Sequence, residues 1–187
     1  MAETRRADGR RNHELLLAAG RAAFDELGTE VSLREVARRA GVGIGTLYRH
    51  FPTREALLEA AMRHGLDALR AEAEELLDAP STQQALFDWL AAFAVGSTRY
   101  QGLPASILAA LQDEASDLHR SCAAMRAAAA TLLTRAQQAG EVRADLTVND
   151  LLALVAGIAW AGQQAGGAAE GRTERLLAVV RSGIEQR

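Results

Sequence analysis

The chain has 187 residues, of which 49% are hydrophobic and 24% charged, an ordinary balance for a globular protein with a buried core. A single cysteine, Cys122, excludes an internal disulfide framework and a cysteine-rich zinc site. The charged N-terminus and short apolar runs favour a cytoplasmic protein without a signal peptide or membrane span. The net charge is −3, but residues up to Glu55 carry ten Arg against eight acidic residues, so a basic N-terminal part precedes an acidic remainder.

The first 41 residues predict two helices, together with the residues at which these helices start and end. The first covers residues 15–27, where apolar side chains recur at helical spacing before Gly28. The second is short, because Ser32 and Glu35 form a capping box at its start and Gly41 ends it. One stripe of the first helix consists of Leu16, Ala19, Gly20, Ala23, Phe24 and Leu27, and the predicted buried face of the second consists of Leu33, Val36, Ala37 and Ala40.

A third, still shorter helix covers the sequence GTLYRHF and ends before Pro52, since the residue before a proline avoids the α region. Thr53 then caps a long fourth helix that ends before Pro80. Five further helices are predicted at about residues 84–100, 107–111, 113–139, 151–165 and 173–184. No stretch predicts a strand of any length. The predicted fold class is all-α, with about nine helices in an N-terminal domain of residues 1–52 and a larger C-terminal domain of residues 53–187.

The glycine-rich sequence GVGIG, residues 41–45, allows two interpretations. A nucleotide-binding loop needs a preceding strand and G-x-G-x-x-G spacing, whereas here a helix precedes and the third glycine comes one residue early. Two short helices joined by a glycine-containing turn match a DNA-binding helix-turn-helix instead. The second helix of this motif then presents polar groups outward, with Leu47 and Phe51 turned to the core.

The stretch VSLREVARRAGVGIGTLYRHFPTREALLEA, preceded by LLAAGRAAFDELG, resembles the N-terminal domain of the TetR family of transcriptional regulators. The resemblance covers Leu15 to about Ala60. It implies a homodimer that binds a double-stranded, pseudo-palindromic DNA operator, with a small-molecule effector site in each C-terminal domain. We expect a repressor that its effector releases from DNA. The alternatives are a ligand-dependent activator of the same fold and a helical protein-interaction adaptor that does not bind DNA.

Carried over position by position, the resemblance implies a set of DNA-contacting residues. Tyr48 is implied to contact a phosphate, and Ser32 and Arg54 are implied to hold phosphates at helix N-termini. Ile44 stands where relatives often carry a polar residue, and we expect it to touch a thymine methyl group. The full expected set is Ser32, Gly43, Ile44, Gly45, Thr46, Tyr48, Arg49, His50 and Arg54.

Other arginines near this region have less specific roles. Four of them precede the first predicted helix: Arg5, Arg6, Arg10 and Arg11. They are predicted to form either a flexible arm that reads a minor groove or adds phosphate contacts, or a solvated disordered tail. Arg38 and Arg39 are expected to form a solvated helix face rather than to read bases.

The helix LLALVAGIAWAGQQA is apolar around most of its circumference, more than a helix facing one monomer core requires. Pairing this helix and the last one with their symmetry mates would bury the excess in a four-helix interface, while a central helix of a monomer is the alternative. Gly157, Ala161 and Gly162 would allow another helix to approach closely. The expected interface residues are Leu154, Gly157, Ile158, Ala161, Leu176, Leu177, Val180 and Ile184.

A set of C-terminal residues combines apolar bulk with sparse polar groups, which is typical of a ligand site. Few charges lie in these segments, so the expected effector is largely apolar or aromatic. Taken singly, each residue also fits an ordinary core or interface position. The expected ligand-binding residues are Trp89, Phe93, Tyr100, Gln101, Met125, Trp160 and Gln163.

An enzyme is the competing functional class, and the sequence offers little support for it. The four histidines, His13, His50, His64 and His119, are scattered without paired metal-ligand spacing. Cys122 lies in a predicted helix among alanines, and no G-x-S-x-G nucleophile sequence occurs. We therefore expect no catalytic residue, no metal site and no cofactor.

Overall fold

A computed structural model describes residues 2–100, 103–164 and 171–184 of the chain, with side chains from residue 7 onward in these ranges. The described residues form nine helices and no β-strand, as the sequence predicted. The helices are α1 (Ala2–Leu27), α2 (Leu33–Ala40), α3 (Ile44–His50), α4 (Arg54–Leu76), α5 (Thr82–Thr98), α6 (Ala105–Gln112), α7 (Asp117–Gln138), α8 (Val148–Gln164) and α9 (Arg172–Ile184).

Helix α1 begins at Ala2, more than three turns before the predicted start, so the expected flexible arm or disordered tail is wrong for this segment. Apolar periodicity marks only the part of a helix that packs on a core, and no residue from 7 to 15 is fully buried. Once a helix is nucleated, good helix formers such as Ala, Arg and Glu extend it at little cost. The sequence pattern therefore locates the packed part of α1 and not its beginning.

Hydroxyl groups cap the helices at the predicted positions. Ser32 Oγ accepts a hydrogen bond from Glu35 N, and Thr53 Oγ1 accepts one from Ala56 N at 3.0 Å. Helix α8 is capped in the same way at Thr147. Helix α7, in contrast, starts four residues after its predicted start, because Ser116 Oγ accepts a hydrogen bond from the backbone N–H of His119 and caps the helix there.

The chain divides into two compact units, Met1–His64 with Arg99–Arg120 and Gly65–Thr98 with Ser121–Arg187. In the first unit, α1 packs against α2 and α3, and the first turns of α4 bury Leu57 and Leu58. Gly20 permits this packing, since a Cβ there would lie 3.1 Å from the Leu57 side chain. The units do not coincide with a division at residue 52, because α4 contributes to both of them.

The second unit is built around α5, which packs against α8 and α9. Trp89 is fully buried in its core, where its indole Nε1 donates a 2.8 Å hydrogen bond to the carbonyl of Leu69. Glu141 closes the start of α5 by accepting hydrogen bonds from Thr82 Oγ1 and Gln83 N. None of the helices in the described ranges is both long enough and apolar enough to cross a membrane.

Gly28 and Gly41, the two predicted helix-ending glycines, adopt the left-handed conformation that favours glycine, with φ of 78° and 67°, and Gly140 after α7 does so with φ of 72°. We expect Gly41→Ala to lower the free energy of unfolding by about 1–2 kcal/mol, because the Cβ of alanine clashes with the backbone when a residue adopts the left-handed conformation. Gly65→Ala is the matched control. Gly65 lies inside α4, where an added Cβ meets no atom within 4 Å, so this change should stabilise the protein by about 0.5–1 kcal/mol. Urea unfolding measures both, and equal effects of the two substitutions would contradict the assignment.

Candidate nucleic-acid interface

The turn between α2 and α3 has a defined backbone geometry. The N–H of Gly41 bonds to the carbonyl of Arg38 at 3.2 Å, and the N–H of Val42 bonds to the carbonyl of Ala37 at 3.1 Å. This pair of bonds is a Schellman motif, which ends α2 and turns the chain sharply. Gly43 then begins α3, where its carbonyl accepts hydrogen bonds from Thr46 N and Leu47 N. The predicted helix-turn-helix therefore forms.

The two remaining glycines of this turn leave open space rather than admit a close helix contact. The backbone of Gly43 has an ordinary φ of −66°, so glycine is not required there for its conformation. A Cβ added to Gly43 or to Gly45 would meet no atom within 4 Å in the described part of the chain. A close approach of these glycines to the preceding helix is therefore not observed, and an external partner can reach the backbone here.

Helix α3 has one buried and one exposed side, as predicted. Leu47 and Phe51 are buried in the first unit. The exposed side, which we call the α3 edge, has a 51% exposed Tyr48 at its centre. Thr46 and His50 flank it and are half-buried. The α3 edge consists of Ile44, Gly45, Tyr48 and Arg49.

An open groove of about 350 Å³ lies beside Tyr48 and joins three helices. It brings together the residues expected to hold phosphates: Ser32 at the start of α2, Tyr48 on α3 and Arg54 at the start of α4. The guanidinium of Arg54 is positioned by a 2.9 Å ion pair with Glu30 and a 3.3 Å hydrogen bond to the Glu30 carbonyl. We call this the α2–α4 groove; its lining residues are Val31, Ser32, Leu33, Arg34, Tyr48, Arg54 and Glu55.

Glu35 organises the charged face of α2. Its carboxylate accepts hydrogen bonds from Arg38 Nη2 at 2.7 Å and from Arg39 Nε at 2.8 Å, instead of bonding back to the cap. Arg39 also pairs with Glu26 of α1 at 2.8 Å. The hydrogen bonds from Arg38 and Arg39 lower the pKa of Glu35 to about 2. Both arginines are thus engaged in ion pairs within the domain, and the expectation that they do not read bases stays a prediction.

His13 is a residue of this region that sequence reasoning missed. Its imidazole ring lies 4.9 Å from the ring of Phe51 and 5.7 Å from the ring of His50. Burial and, to a smaller extent, the nearby His50 lower the pKa of His13, while Glu14 opposes the shift. His13 precedes Leu16 by three residues and so extends the apolar stripe of α1 by one turn, which is the signal that could have found it.

The acid sensitivity of the protein tests the role of Glu35. Because the folded pKa is depressed, the stabilising contribution of Glu35 is present above pH 4.5 and is lost as the pH falls toward 2. We expect Glu35→Gln to destabilise the protein at neutral pH and the difference from the wild type to shrink on acidification. Urea unfolding of both proteins as a function of pH measures this, and a difference that stays constant would contradict it.

Three of the residues expected to bind a ligand lie in the core of the second unit. Trp89 and Phe93 stack with ring centroids 5.6 Å apart, and Met125 is buried in the same core. Tyr100 belongs to the first unit instead, where its buried hydroxyl has no hydrogen-bond partner in the described residues and burial raises its pKa. Gln101 lies outside the described residues.

Two further expected ligand residues lie on the surface of α8. Trp160 is 60% exposed, so the structure does not place it in a closed pocket. Gln163 is also exposed and donates a 3.1 Å hydrogen bond to the carbonyl of Thr98. Trp160 lies one turn from Gly157, on the side of α8 expected to meet a partner subunit.

The expected interface residues divide into an exposed group and a packed group. Leu154, Gly157 and Ala161 are exposed on α8, and Ile158 and Leu176 are half-buried. Leu177 and Val180 pack against the core of the unit, and Ile184 is 6% exposed in that core, so little of its side chain is free for an interface. Gly162 allows another helix to approach closely, as expected, and this helix is α9 of its own chain: Gly162 is buried, and a Cβ there would lie 2.3 Å from Thr173 Oγ1.

Two families of known proteins together match most of the chain. Residues 16–61 match the family described as bacterial regulatory proteins, tetR family. Residues 81–186 match the family described as transcriptional regulator SbtR-like, C-terminal domain. The match over the N-terminal helices covers the turn, the α3 edge and the α2–α4 groove.

Similar proteins of known structure extend over the whole chain. The TetR transcriptional regulator SCO0520 from Streptomyces coelicolor is 34% identical, with 93% of this chain and 98% of that chain covered and a TM-score of 0.75. A TetR transcription regulatory protein from Mycobacterium vanbaalenii is 33% identical over 96% of this chain and 98% of its own, with a TM-score of 0.66. The ketosteroid transcriptional regulator KstR2 of Mycobacterium tuberculosis is 26% identical over 95% and 96%, with a TM-score of 0.63.

Similarity to curated relatives is limited to one part of the chain. The HTH-type transcriptional regulator SAR0097 of Staphylococcus aureus is 33% identical over 82 residues, which are 42% of each protein. The matched stretch thus spans less than half the length of this relative. The sequence similarity to this relative is therefore limited to part of the chain, whereas the regulators from Streptomyces coelicolor and Mycobacterium vanbaalenii are similar over 93% and 96% of it.

Proposed function

Because the chain belongs to the TetR family of transcriptional regulators, a family of transcription factors and not of enzymes, we propose that it represses transcription by binding a pseudo-palindromic DNA operator as a dimer. A small, largely apolar effector releases it. The proposal places the protein in the cytoplasm, where bacterial DNA is found. The exposed α3 edge beside the α2–α4 groove is the observation that supports DNA binding.

In this proposal α3 enters the major groove with its exposed edge toward the bases. The hydroxyl of Tyr48 donates a hydrogen bond to a phosphate oxygen. Ser32 and Arg54, which line the same groove, bind neighbouring phosphates. Thr46, Arg49 and His50 contact bases or backbone, and Ile44 touches a thymine methyl group. The open space at Gly43 and Gly45 supports a close approach of the DNA to the backbone.

Charge supports this orientation of the protein on DNA. The guanidinium of Arg49 is exposed and makes no ion pair within the described ranges, and Arg34 adds a second positive charge at the groove. The chain as a whole has a net charge of −3, so long-range attraction to DNA is not expected from its total charge. Binding then depends on these locally placed arginines and falls steeply with salt.

Removal of one hydroxyl tests the DNA contact. We expect Tyr48→Phe to weaken DNA binding about fivefold or more, since a dimer loses two phosphate hydrogen bonds of about 0.5–1.5 kcal/mol each. Fluorescence anisotropy measures the affinity for a labelled duplex that the wild-type protein has selected from a random-sequence pool.

The matched control is the same substitution at the other tyrosine. Tyr100→Phe removes a buried hydroxyl from a ring that lies 6.5 Å from that of Phe24 and does not line the α2–α4 groove, so it should leave DNA affinity unchanged. Full DNA affinity of Tyr48→Phe would count against the proposed orientation of α3. Failure of the wild type to select any duplex would count against DNA binding itself and would favour a protein-interaction adaptor.

The proposed dimer pairs α8 and α9 of one subunit with those of the other. Leu154, Trp160 and Val179 are large apolar side chains left exposed on these two helices, and Gly157 and Ala161 leave room for a close helix approach. Val179 was not identified from the sequence. A two-fold axis through such an interface would set two α3 helices about 34 Å apart, one turn of DNA.

A charged substitution tests this interface. Leu154→Glu should convert the dimer to a monomer, because a carboxylate would be buried without a partner at the interface. Leu108→Glu is the matched control, since Leu108 on α6 is 49% exposed, close to the 46% of Leu154, but lies outside the proposed surface. Size-exclusion chromatography with light scattering measures both masses. A wild-type monomer, or a Leu154→Glu dimer, would contradict the proposal.

The proposed effector site lies in the second unit, near the stacked Trp89 and Phe93 and the buried Met125. These apolar side chains suit a largely apolar compound, and one similar protein, KstR2, is described as a ketosteroid transcriptional regulator. Helix α4 is continuous from Arg54, next to the α2–α4 groove, to Leu76 in the second unit. A ligand that prefers the misaligned state by about 1.4 kcal/mol would weaken operator binding tenfold.

A further inference from the structure

We propose that the face of α1 that carries Arg10 and His13 is an additional phosphate-binding surface, which contacts the DNA backbone beside the C-terminal end of α3. This inference rests on the proposed function, because it extends the same DNA interface. Nothing in the helix-turn-helix itself requires it, since α2, α3 and the start of α4 already supply the expected contacts.

The N-terminal part of α1 lies beside α3. The ring of His13 lies 5.7 Å from that of His50 and 4.9 Å from that of Phe51, so α1 passes directly beside the C-terminal end of α3. The helix then continues for eleven residues toward its N-terminus, back to Ala2. Residues 7–15 contribute no fully buried side chain, so this part of α1 presents an exposed face next to the proposed DNA surface.

Helix geometry places Arg10 and Arg11 on different sides of α1. Arg10 precedes His13 by three residues and therefore lies on the same face of α1, about 4.5 Å further along the helix axis. Arg11 precedes His13 by two residues, which turns it about 200° around the axis to the opposite side. Of these two arginines, Arg10 is therefore the one that can extend the surface that begins at His50.

Charge determines what this face can bind. The pKa of His13 is lowered by burial and by His50, so near neutral pH the positive charge of the face comes from Arg10. The guanidinium of Arg10 is exposed and, among the described residues, forms no ion pair, even with Glu14 one turn further along. A planar guanidinium with free donors fits a phosphate oxygen pair, and the continuous DNA backbone supplies such groups on both sides of the groove that α3 would occupy.

The test compares two neighbouring arginines that differ only in direction. Arg10→Gln and Arg11→Gln remove the same charge from exposed positions of the same helix, and glutamine has a helix propensity similar to that of arginine. Affinity for the duplex selected by the wild type is measured by fluorescence anisotropy over a series of salt concentrations. Circular dichroism confirms that both variants keep the helix content of the wild type.

We expect Arg10→Gln to weaken binding about fivefold or more at moderate salt. It should also reduce the slope of log affinity against log salt by about one for each subunit, because one phosphate contact is lost from each. Arg11→Gln should change the affinity by less than about twofold and leave the salt slope unchanged.

Two results would overturn the inference while leaving the proposed function intact. If Arg10→Gln binds as the wild type does, while Tyr48→Phe binds more weakly, the DNA interface does not include α1. If both arginine variants lose affinity equally, the effect reflects total charge and not a contact. If the wild type selects no duplex, the proposed function fails and this inference fails with it.

Discussion

The exposed edge of α3 depends on the burial of Leu47 and Phe51 on the other side of the same helix. A helix of seven residues is not stable alone, because nucleation costs more than so few hydrogen bonds return. Its position therefore comes from tertiary packing: the Schellman turn at Gly41 sets the angle of entry, and α1 supports Phe51 through His13. A short element held in this way can present Tyr48 and Arg49 in a fixed orientation, which recognition of a duplex requires.

In the first unit, a small number of intramolecular ion pairs positions several of the arginines. Glu35 holds Arg38 and Arg39, Glu26 ties Arg39 to α1, and Glu30 positions Arg54 at the α2–α4 groove. These pairs hold Arg38 and Arg39 within the domain and place Arg54 at the groove. In the proposed function, phosphates would meet Arg34 and Arg49, which are exposed and form no ion pair among the described residues, since binding responds to local and not to total charge.

In the second unit, α8 has two apolar faces with different surroundings. Leu151, Val155, Ala159 and Gly162 are buried against the unit, whereas Leu154, Gly157 and Ala161 are exposed. One apolar face of α8 packs against the core of its own unit, and the other stays exposed. The proposed dimer would cover this exposed face. The exposed Trp160, close to Gly157, fits that surface better than a closed ligand pocket, so the effector proposal depends on the buried Trp89, Phe93 and Met125.

By itself, the sequence determined the local features of this protein: the helix caps at Ser32, Thr53 and Thr147, the left-handed glycines, the order of the nine helices and the outward side of α3. These follow from interactions between residues close in the chain, which sequence spacing records directly. Only the tertiary structure decided that α1 extends to Ala2, that His13 meets His50, that Arg54 shares a groove with Ser32 and Tyr48, and that Ile184 is buried. Those outcomes depend on how separate helices pack against one another, and the periodicity of a single helix shows which face is apolar but not which neighbour covers it.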